Sequence, residues 1–364
     1  MKLNYLVNFL ENWAPLTLQE EYDNCGLLVG NDEMKVSAVL VSLEVTEEVI
    51  LEAIDRKANV IVSHHPVIFK AVNSLTGKTE AERCVIMAIE NSIALYAIHT
   101  NLDSIYGGVS FAMGTAMGLS NMKILAPRDS NLYQLVVHVP AEHTDALSKA
   151  LFQAGAGSLG NYDQCKFSTN GKGSYRPLNG SNPYLGNIGK IQLVNEERLE
   201  LLVPSWSKGA VEKALFLNHP YEEVSHAWFK LTNKSSNTGF GVVGELPSAL
   251  KDEELIEKMK FIYGAKTIRY IPSKDNYIKR VALCGGAGID LLSLAIKSEA
   301  DAFITSDISY HKFFDAKKVI FLADIGHYES ERHTIELIAD HIRSKMTNFA
   351  VLTTESITNP IITS

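Results

Sequence analysis

The sequence predicts an α/β protein made of two similar βαβ halves, with a smaller α+β domain inserted between them. Three observations carry this reading. Apolar β-rich runs alternate with helically spaced segments from Val36 to about Gly108, and the same alternation returns from Ile278 onward. Between them, Tyr162 to Ser236 is rich in Gly, Ser, Asn and Tyr and dense in turn signals. The expected boundaries are 1–127 for the first half, 128–238 for the insert and 239–364 for the second half.

Taken in order, the chain opens on an amphipathic helix, because MKLNYLVNFLENWAP spaces its apolar residues helically and reaches Glu11 after only a few of them. Val36 to Ser42 predicts a strand, Val45 to Lys57 a helix, and Asn59 to Ser63 a second strand. A helix near Glu80 to Glu90, a strand from Ile93 to Ile98 and a helix beginning near Gly108 complete the first half. In the insert, Leu132 to Val139 is strand-like, while Ala141 to Gln153 and Ser207 to Leu217 are helical. The second half predicts strand Arg280 to Cys284, helix Ile289 to Lys297, strand Ala302 to Ser306, a short helix and strand Val319 to Ala323. One long helix from Tyr328 to Lys345 and a closing strand from Phe349 to Leu352 follow. The outer stretches match each other at a constant offset: Val39 with Val281, Ala53 with Ala295, Ala58-Asn59 with Ala300-Asp301, and His65 with Asp307. This reads as an internal repeat, whose halves would pack as one α/β unit with a cleft between them.

Composition narrows the function. Lys plus Arg is 34 against 42 Asp plus Glu, a net charge of −8, which argues against a polybasic surface and a nucleic-acid partner. An apolar fraction of 46% excludes intrinsic disorder. Cys25, Cys84, Cys165 and Cys284 lie far apart with no CxxC pair, so neither a thiolate zinc knot nor a disulfide framework is expected, and the cytoplasm is the expected compartment. No apolar run approaches the roughly 20 residues that cross a bilayer, so no membrane association is expected.

Chemistry concentrates at strand ends. Ser63-His64-His65-Pro66 follows an apolar strand, at the edge of an α/β sheet where ligands bind. Two neutral imidazoles there suit zinc, nickel or iron, and a structural histidine pair is the alternative. A second strand end supplies His99-Thr100-Asn101-Leu102-Asp103, in which Asp103 is a candidate ligand or a turn cap, and His99 an outer group or a structural histidine. The third supplies His327 and Glu331, four apart at a helix start and so on one face. Together His64, His65, Asp103, His327 and Glu331 are more donors than one tetrahedral zinc needs, and suit two metals bridged by a carboxylate.

Three further features carry alternatives. Cys284-Gly285-Gly286-Ala287-Gly288 joins a strand to a helix and could hold an anion on backbone amides through Gly285 and Gly286, or serve as a packing turn. Asp307 and His311, near another strand end, could orient substrate or a ligand histidine, and Asp307 could equally cap a helix. Gly155 to Gly160 fits G-x-G-x-x-G but follows a helix and precedes a turn-like stretch, so it reads as a turn rather than a dinucleotide site. Asp23-Asn24-Cys25-Gly26 reads as a demanding turn.

These residues also carry a resemblance. Tyr22 to Leu27, Val62 to Pro66, His99 to Asp103, Gly239 to Gly244, Cys284 to Gly288 and Gly326 to Glu331 resemble the motifs of the NIF3-like family (the YbgI/YqfO type) in its long form, and span both outer parts of the chain. The resemblance implies a NIF3-like fold with an inserted PII/CutA1-like domain, Gly155 to Cys165 resembling that domain's linker motif. It implies two divalent metal ions per subunit, zinc first and manganese, iron, cobalt or nickel as alternatives. His65 and Asp103 would ligate one and His64 and His327 the other, with Glu331 shared; none of the five departs from the family pattern. It further implies a homohexamer built as a trimer of dimers, and the family's label, GTP cyclohydrolase type 2 homolog, points to a nucleotide or small phosphorylated ligand. The function expected is a dinuclear metal-dependent hydrolase. The alternative is a non-catalytic metal-binding regulator or scaffold whose insert binds a small molecule or partner.

Overall fold

The apolar runs of the two outer stretches become short strands buried on both faces, as parallel strands between helix layers must be. The computed structural model describes residues 1–129, 131–160 and 162–362. Two compact units form, one from Met1–Pro127 together with Asn237–Ser364 and one from Arg128–Ser236.

The first unit contains two sheets. One has five strands in the order Gly26–Val29, Ala94–Ala97, Val60–Ser63, Ala38–Ser42, Ala350–Thr353; all neighbours are parallel except the antiparallel pair Gly26–Val29 and Ala94–Ala97. The other has six in the order Arg269–Ile271, Phe321–Asp324, Ala302–Thr305, Ile278–Leu283, Lys234–Leu250, Ser120–Asp129. Its three central strands are parallel, and Arg269–Ile271 is an antiparallel edge on Phe321–Asp324, the counterpart of Gly26–Val29 on Ala94–Ala97. The repeat is therefore structural: Val60–Ser63 and Ala302–Thr305 are the same strand at the same offset that relates Val39 to Val281.

The closing strand does not close the second half. Ala350–Thr353 pairs in parallel with Ala38–Ser42 of the first sheet, Ala350 opposite Ala38. The long helix expected before it is two helices, His327–Glu331 and Thr334–Lys345, interrupted at Arg332 and His333. The exchange is reciprocal. Phe111, Met113 and Met117 of helix Val109–Met117 bury against the core of the second sheet, whose last strand is Ser120–Asp129, while Ile338, Ala339 and Ile342 bury with Leu3, Leu6 and Leu10 in the core of the first. Each large apolar side chain so buried contributes about 1.5–3 kcal/mol, so the exchange binds the halves into one unit. Glu52 fastens the crossing chain, accepting from the Thr354 and Ser356 hydroxyls and the amides of Glu355 and Ser356.

Helix Thr334–Lys345 also places His341 against the rings of Trp13 and Phe9, at centroid distances of 3.9 and 4.5 Å. Burial lowers its pKa to about 4. The unfolded chain takes up a proton near pH 6.5 that the folded ring refuses, so His341 costs stability as pH falls from about 6.5 toward 4 and costs nothing above that window. His341→Phe is expected to narrow the gap between the urea midpoints at pH 7 and pH 5; an unchanged gap would show that the ring does not titrate this way.

The second unit runs strand Leu132–Pro140, helix Thr144–Gln153, strands Phe167–Tyr175 and Gln192–Pro204, helix Lys208–Asn218, strand His226–Lys230. All sheet neighbours are antiparallel, giving the β-α-β-β-α-β order of a split βαβ fold. Leu135, Val137, Leu199 and Leu201 bury against Leu147, Leu151, Val211 and Leu215 of the two helices.

Candidate metal centre

In the first sheet the register sets Ser42, Ser63 and Ala97 side by side, so the residues after each strand emerge at one edge. His64 and His65 continue from Ser63, their amides bonding the Ser42 and Leu43 carbonyls, and the Ser63 hydroxyl donates to the His65 carbonyl as the chain turns toward Pro66. Beyond Ala97, His99 precedes the short helix Thr100–Asp103. From the second sheet, Gly326 turns strand Phe321–Asp324 into helix His327–Glu331.

The structure brings His64, His65, Asp103, His327 and Glu331 together. The Glu331 carboxylate is the hub, with Oε2 at 3.2 Å from His65 Nε2 and 3.1 Å from His327 Nε2, and Oε1 at 3.9 Å from His64 Nε2. Asp103 Oδ1 lies 3.8 Å from His64 Nε2. Each imidazole is held through its other nitrogen. His64 Nδ1 donates to the Ile98 carbonyl at 2.8 Å, His65 Nδ1 to Glu44 at 2.6 Å and His327 Nδ1 to Asp307 at 2.6 Å. Outer-shell acceptors of this kind fix the tautomer and leave Nε2 as the ligating atom.

The donor set fits divalent cations. Among the described residues, His64 Nε2 and Glu331 Oε2 are buried without a hydrogen-bond partner, since the approaches of His65 and His327 to Oε2 lack hydrogen-bond direction. Buried polar atoms are rarely left so, and imidazole nitrogens with carboxylates are the ligands that zinc and its neighbours take.

The electrostatics are those of a charged cluster whose centre, His64 and Glu331, is buried while His327 and Asp307 reach solvent. Burial lowers the His64 pKa to about 3. Burial acts the same way on His65 and His327, but Glu331, with Glu44 in one case and Asp307 in the other, raises them to about 10 and about 9. Burial would raise Glu331, yet contacts with His327 and His65 hold it well below the usual carboxylate range. Asp103 goes the other way, pushed well above that range by burial and then by Glu331.

His99 belongs nearer the centre than an outer group. Its ring lies 5.2 and 5.0 Å from those of His64 and His65, and one ligand atom from each of the three falls within 4.8 Å of the others. A second such group is His65, His327 and Glu331. The rings of His65 and His327 lie 5.3 Å apart, and His64 faces the same Glu331 carboxylate as both.

Two residues were missed as site residues. Asp23 anchors His99 Nδ1 at 2.9 Å and accepts from the Thr100 amide and hydroxyl, so the turn around it orients a site histidine. Burial would raise its pKa, but the bonds from His99 and Thr100 hold it far below the usual range. Glu44, the partner of His65, stands at the repeat position of Gly286, the same offset that pairs His65 with Asp307. That coincidence was available in the sequence.

The remaining candidates separate. Asp307 is the partner of His327, at a left-handed φ of 55°. His311 is exposed, precedes helix Lys312–Ala316 and packs its ring on Tyr310; among the described residues no hydrogen bond or ion pair joins it to the cluster. The amides of Gly285, Gly286 and Gly288 are spent on Ser110 Oγ, Ser330 Oγ and Thr305 Oγ1, so this is a packing turn rather than an anion cradle. Gly286 has φ +62° and a Cβ there would come within 2.3 Å of Glu331 Oε1. The Cys25 and Cys284 thiols are pushed up to about 12, chiefly by burial, which removes them as nucleophiles. No helix among the described residues is long and apolar enough to cross a membrane.

Comparison with known proteins places the chain as a whole in a family. The model of Duf34/NIF3 (NGG1p interacting factor 3) matches residues 1–360. A Halalkalibacterium halodurans protein called GTP cyclohydrolase 1 type 2 homolog is 37% identical over 324 residues, covering 88% of this chain and 87% of its own. A Bacillus subtilis protein of the same name is 32% identical over 365 residues, covering 98% and 96%. The crystal structure of a Bacillus cereus protein related to NIF3 superposes with a TM-score of 0.87 at 32% identity, over 100% of this chain and 99% of that one. The chain is a member of the Duf34/NIF3 family.

Proposed function

We propose that the cluster holds two divalent cations, zinc first among them, and that the protein hydrolyses a nucleotide or related phosphorylated compound. The observation that carries this reading is the convergence of three Nδ1-anchored imidazoles on the buried Glu331 carboxylate. When bound, such cations polarise an electrophile and lower the proton affinity of water. The chain's own contribution is positioning. Ile98, Glu44 and Asp307 hold the rings, His65 is common to the two ligand groups, Glu331 faces His64, His65 and His327, and Asp103 supplies a further carboxylate. His99, held at Nδ1 by Asp23, keeps Nε2 as the atom that can take up or return a proton. The name shared by the relatives supports a purine nucleotide, so GTP leads the substrate panel. A homohexamer is part of the proposal, supported by exposed apolar side chains such as Phe261 and Ile357, and is read by light scattering.

The test is turnover by protein loaded with zinc or manganese over a nucleotide panel, with formate and phosphate release as readouts. Activity that vanishes on chelation and in Asp103→Asn is expected. Nucleotide binding without turnover would replace this reading with the second one, a metal-dependent regulator, which the distinct compact unit 128–236 favours.

A further inference from the structure

Within the unit Arg128–Ser236 lies a cavity of about 670 Å³, a size typical of small-molecule sites. Tyr175, Tyr184 and Tyr221 wall it. Tyr221 lies at the middle, its centroid 5.7 Å from Tyr175 at 69° and 6.2 Å from Tyr184 at 48°, so the walls are not parallel. All three hydroxyls are spent inside the protein. Tyr175 donates to the Leu185 carbonyl at 2.9 Å, Tyr184 to Glu142 at 3.0 Å and Tyr221 to Glu196 at 2.9 Å. What the walls offer a ligand is therefore ring face, and a phenol donating to a carboxylate has an electron-richer ring than a free one.

The charges in the cavity point the same way. Glu196 lies over a bare strand position, since a Cβ on Gly173 would come within 2.1 Å of its Oε2. Its Oε1 accepts from Tyr221, and Glu223 also lines the cavity. Glu222 is occupied, accepting the Asn182 amide at 2.9 and 3.0 Å and so tying down the loop that carries Tyr184. Of the two lining cations, Arg198 is turned to Glu200 at 2.9 Å, and Lys172 is the group an anionic ligand would use.

We propose that this cavity binds a small organic cation bearing a quaternary or alkylated ammonium group, held against Tyr175, Tyr184 and Tyr221 and beside the Glu196 carboxylate. Aromatic walls backed by a carboxylate are the arrangement that selects such a head group over a neutral one of equal shape. The cavity is lined by residues of this unit alone, and the proposal does not rest on the function of the metal cluster.

The experiment titrates the full-length protein calorimetrically with choline, with its uncharged isostere 3,3-dimethylbutan-1-ol and with inorganic phosphate. Saturable choline binding is expected, at least about tenfold tighter than that of the neutral isostere. Glu196→Gln, which keeps an acceptor for the Tyr221 hydroxyl, is expected to weaken choline about tenfold and leave the isostere unchanged. Tyr221→Leu is expected to abolish choline binding, and bound metal is expected to stay at the wild-type level in both variants. Equal affinity for the two isosteres overturns the proposal, as does tighter binding of phosphate or a Glu196→Gln effect shared by both organic probes. No saturation at choline concentrations on the order of 10 mM, beyond the weak limit of useful recognition, also overturns it. If Tyr221→Leu does not fold, the isostere comparison on the unmodified protein and Glu196→Gln still decides the matter.

Discussion

Glu331→Gln is expected to lose bound metal by about tenfold or more and, with metal chelated, to unfold at lower urea than the unmodified protein. The carboxylate is 4% exposed and faces the Nε2 atoms of three imidazoles. Two of these, His65 and His327, are raised chiefly by this anion, so its loss leaves each half-buried imidazole with only its outer carboxylate, Glu44 or Asp307. Breaking a fully buried charge pair from one side costs on the order of 3 kcal/mol, and the remaining partners and solvent near His327 reduce the cost here below that. The pH dependence has a definite sign. Glu331 titrates lower in the folded chain than in the unfolded one, so its contribution is present above the unfolded carboxyl pKa of about 4.3 and is lost as pH falls below it.

Asp103→Asn provides the contrast that makes this diagnostic. The Asp103 pKa is raised on folding, so at neutral pH its charge opposes the metal-free fold, and removing it is expected to stabilise the chelated protein while still lowering bound metal. One cluster thus predicts two carboxylate substitutions with the same effect on metal content and opposite effects on chelated stability. Elemental analysis and urea titration of both variants read the pair. A shared sign in the urea midpoints would remove the electrostatic account of the site, whatever happens to the metal.

The second large effect is expected from a residue that touches no ligand. Gly286→Ala places a methyl group 2.3 Å from Glu331 Oε1, in a backbone conformation with φ +62°. The left-handed conformation costs about 1–3 kcal/mol for a non-glycine residue. The clash can be relieved only by moving the turn or the carboxylate, and the turn is fastened through Gly286 N to Ser330 and Gly288 N to Thr305. Metal content is therefore expected to fall as it does in Glu331→Gln. Gly285→Ala is the control, since its methyl would press on Val109 Cγ1 at 2.8 Å and reach only Glu331 Cγ, at 3.5 Å. That variant is expected to melt lower yet keep its metal. Equal metal retention in the two alanine variants would show that the packing of this turn does not set the position of Glu331.

The legible part of the site was the part written locally. An apolar strand followed at once by His64-His65, and another followed by His99 and Asp103, marks where a chain leaves a buried sheet with polar side chains at its edge. The helical spacing of His327 and Glu331 puts both on one face, and the structure holds them in contact. The less legible part was relational. Asp23 read as a turn residue because nothing in its neighbourhood announces a bond to His99, 76 residues away. Gly285 and Gly286 read as a possible cradle because a sequence does not say whether an amide is already taken by Ser110 or Ser330.

The amino-acid sequence by itself determined the central strands and most helices of the outer halves, that these halves repeat, and which side chains stand at the strand ends, because hydrophobic period and turn chemistry act over a few residues; strands such as Ser120–Asp129 and Lys234–Leu250 and helix Asp252–Tyr263 were not read from it. Only the tertiary structure decided that Ser120–Asp129 joins the second sheet and Ala350–Thr353 the first, that helices Val109–Met117 and Thr334–Lys345 bury in opposite cores, and that His99 draws close to His64 and His65. The physical reason is that an amphipathic helix or an apolar strand specifies a face to be buried and not the surface that buries it. Where two similar sheets compete for the same elements, the choice is made by packing over the whole unit.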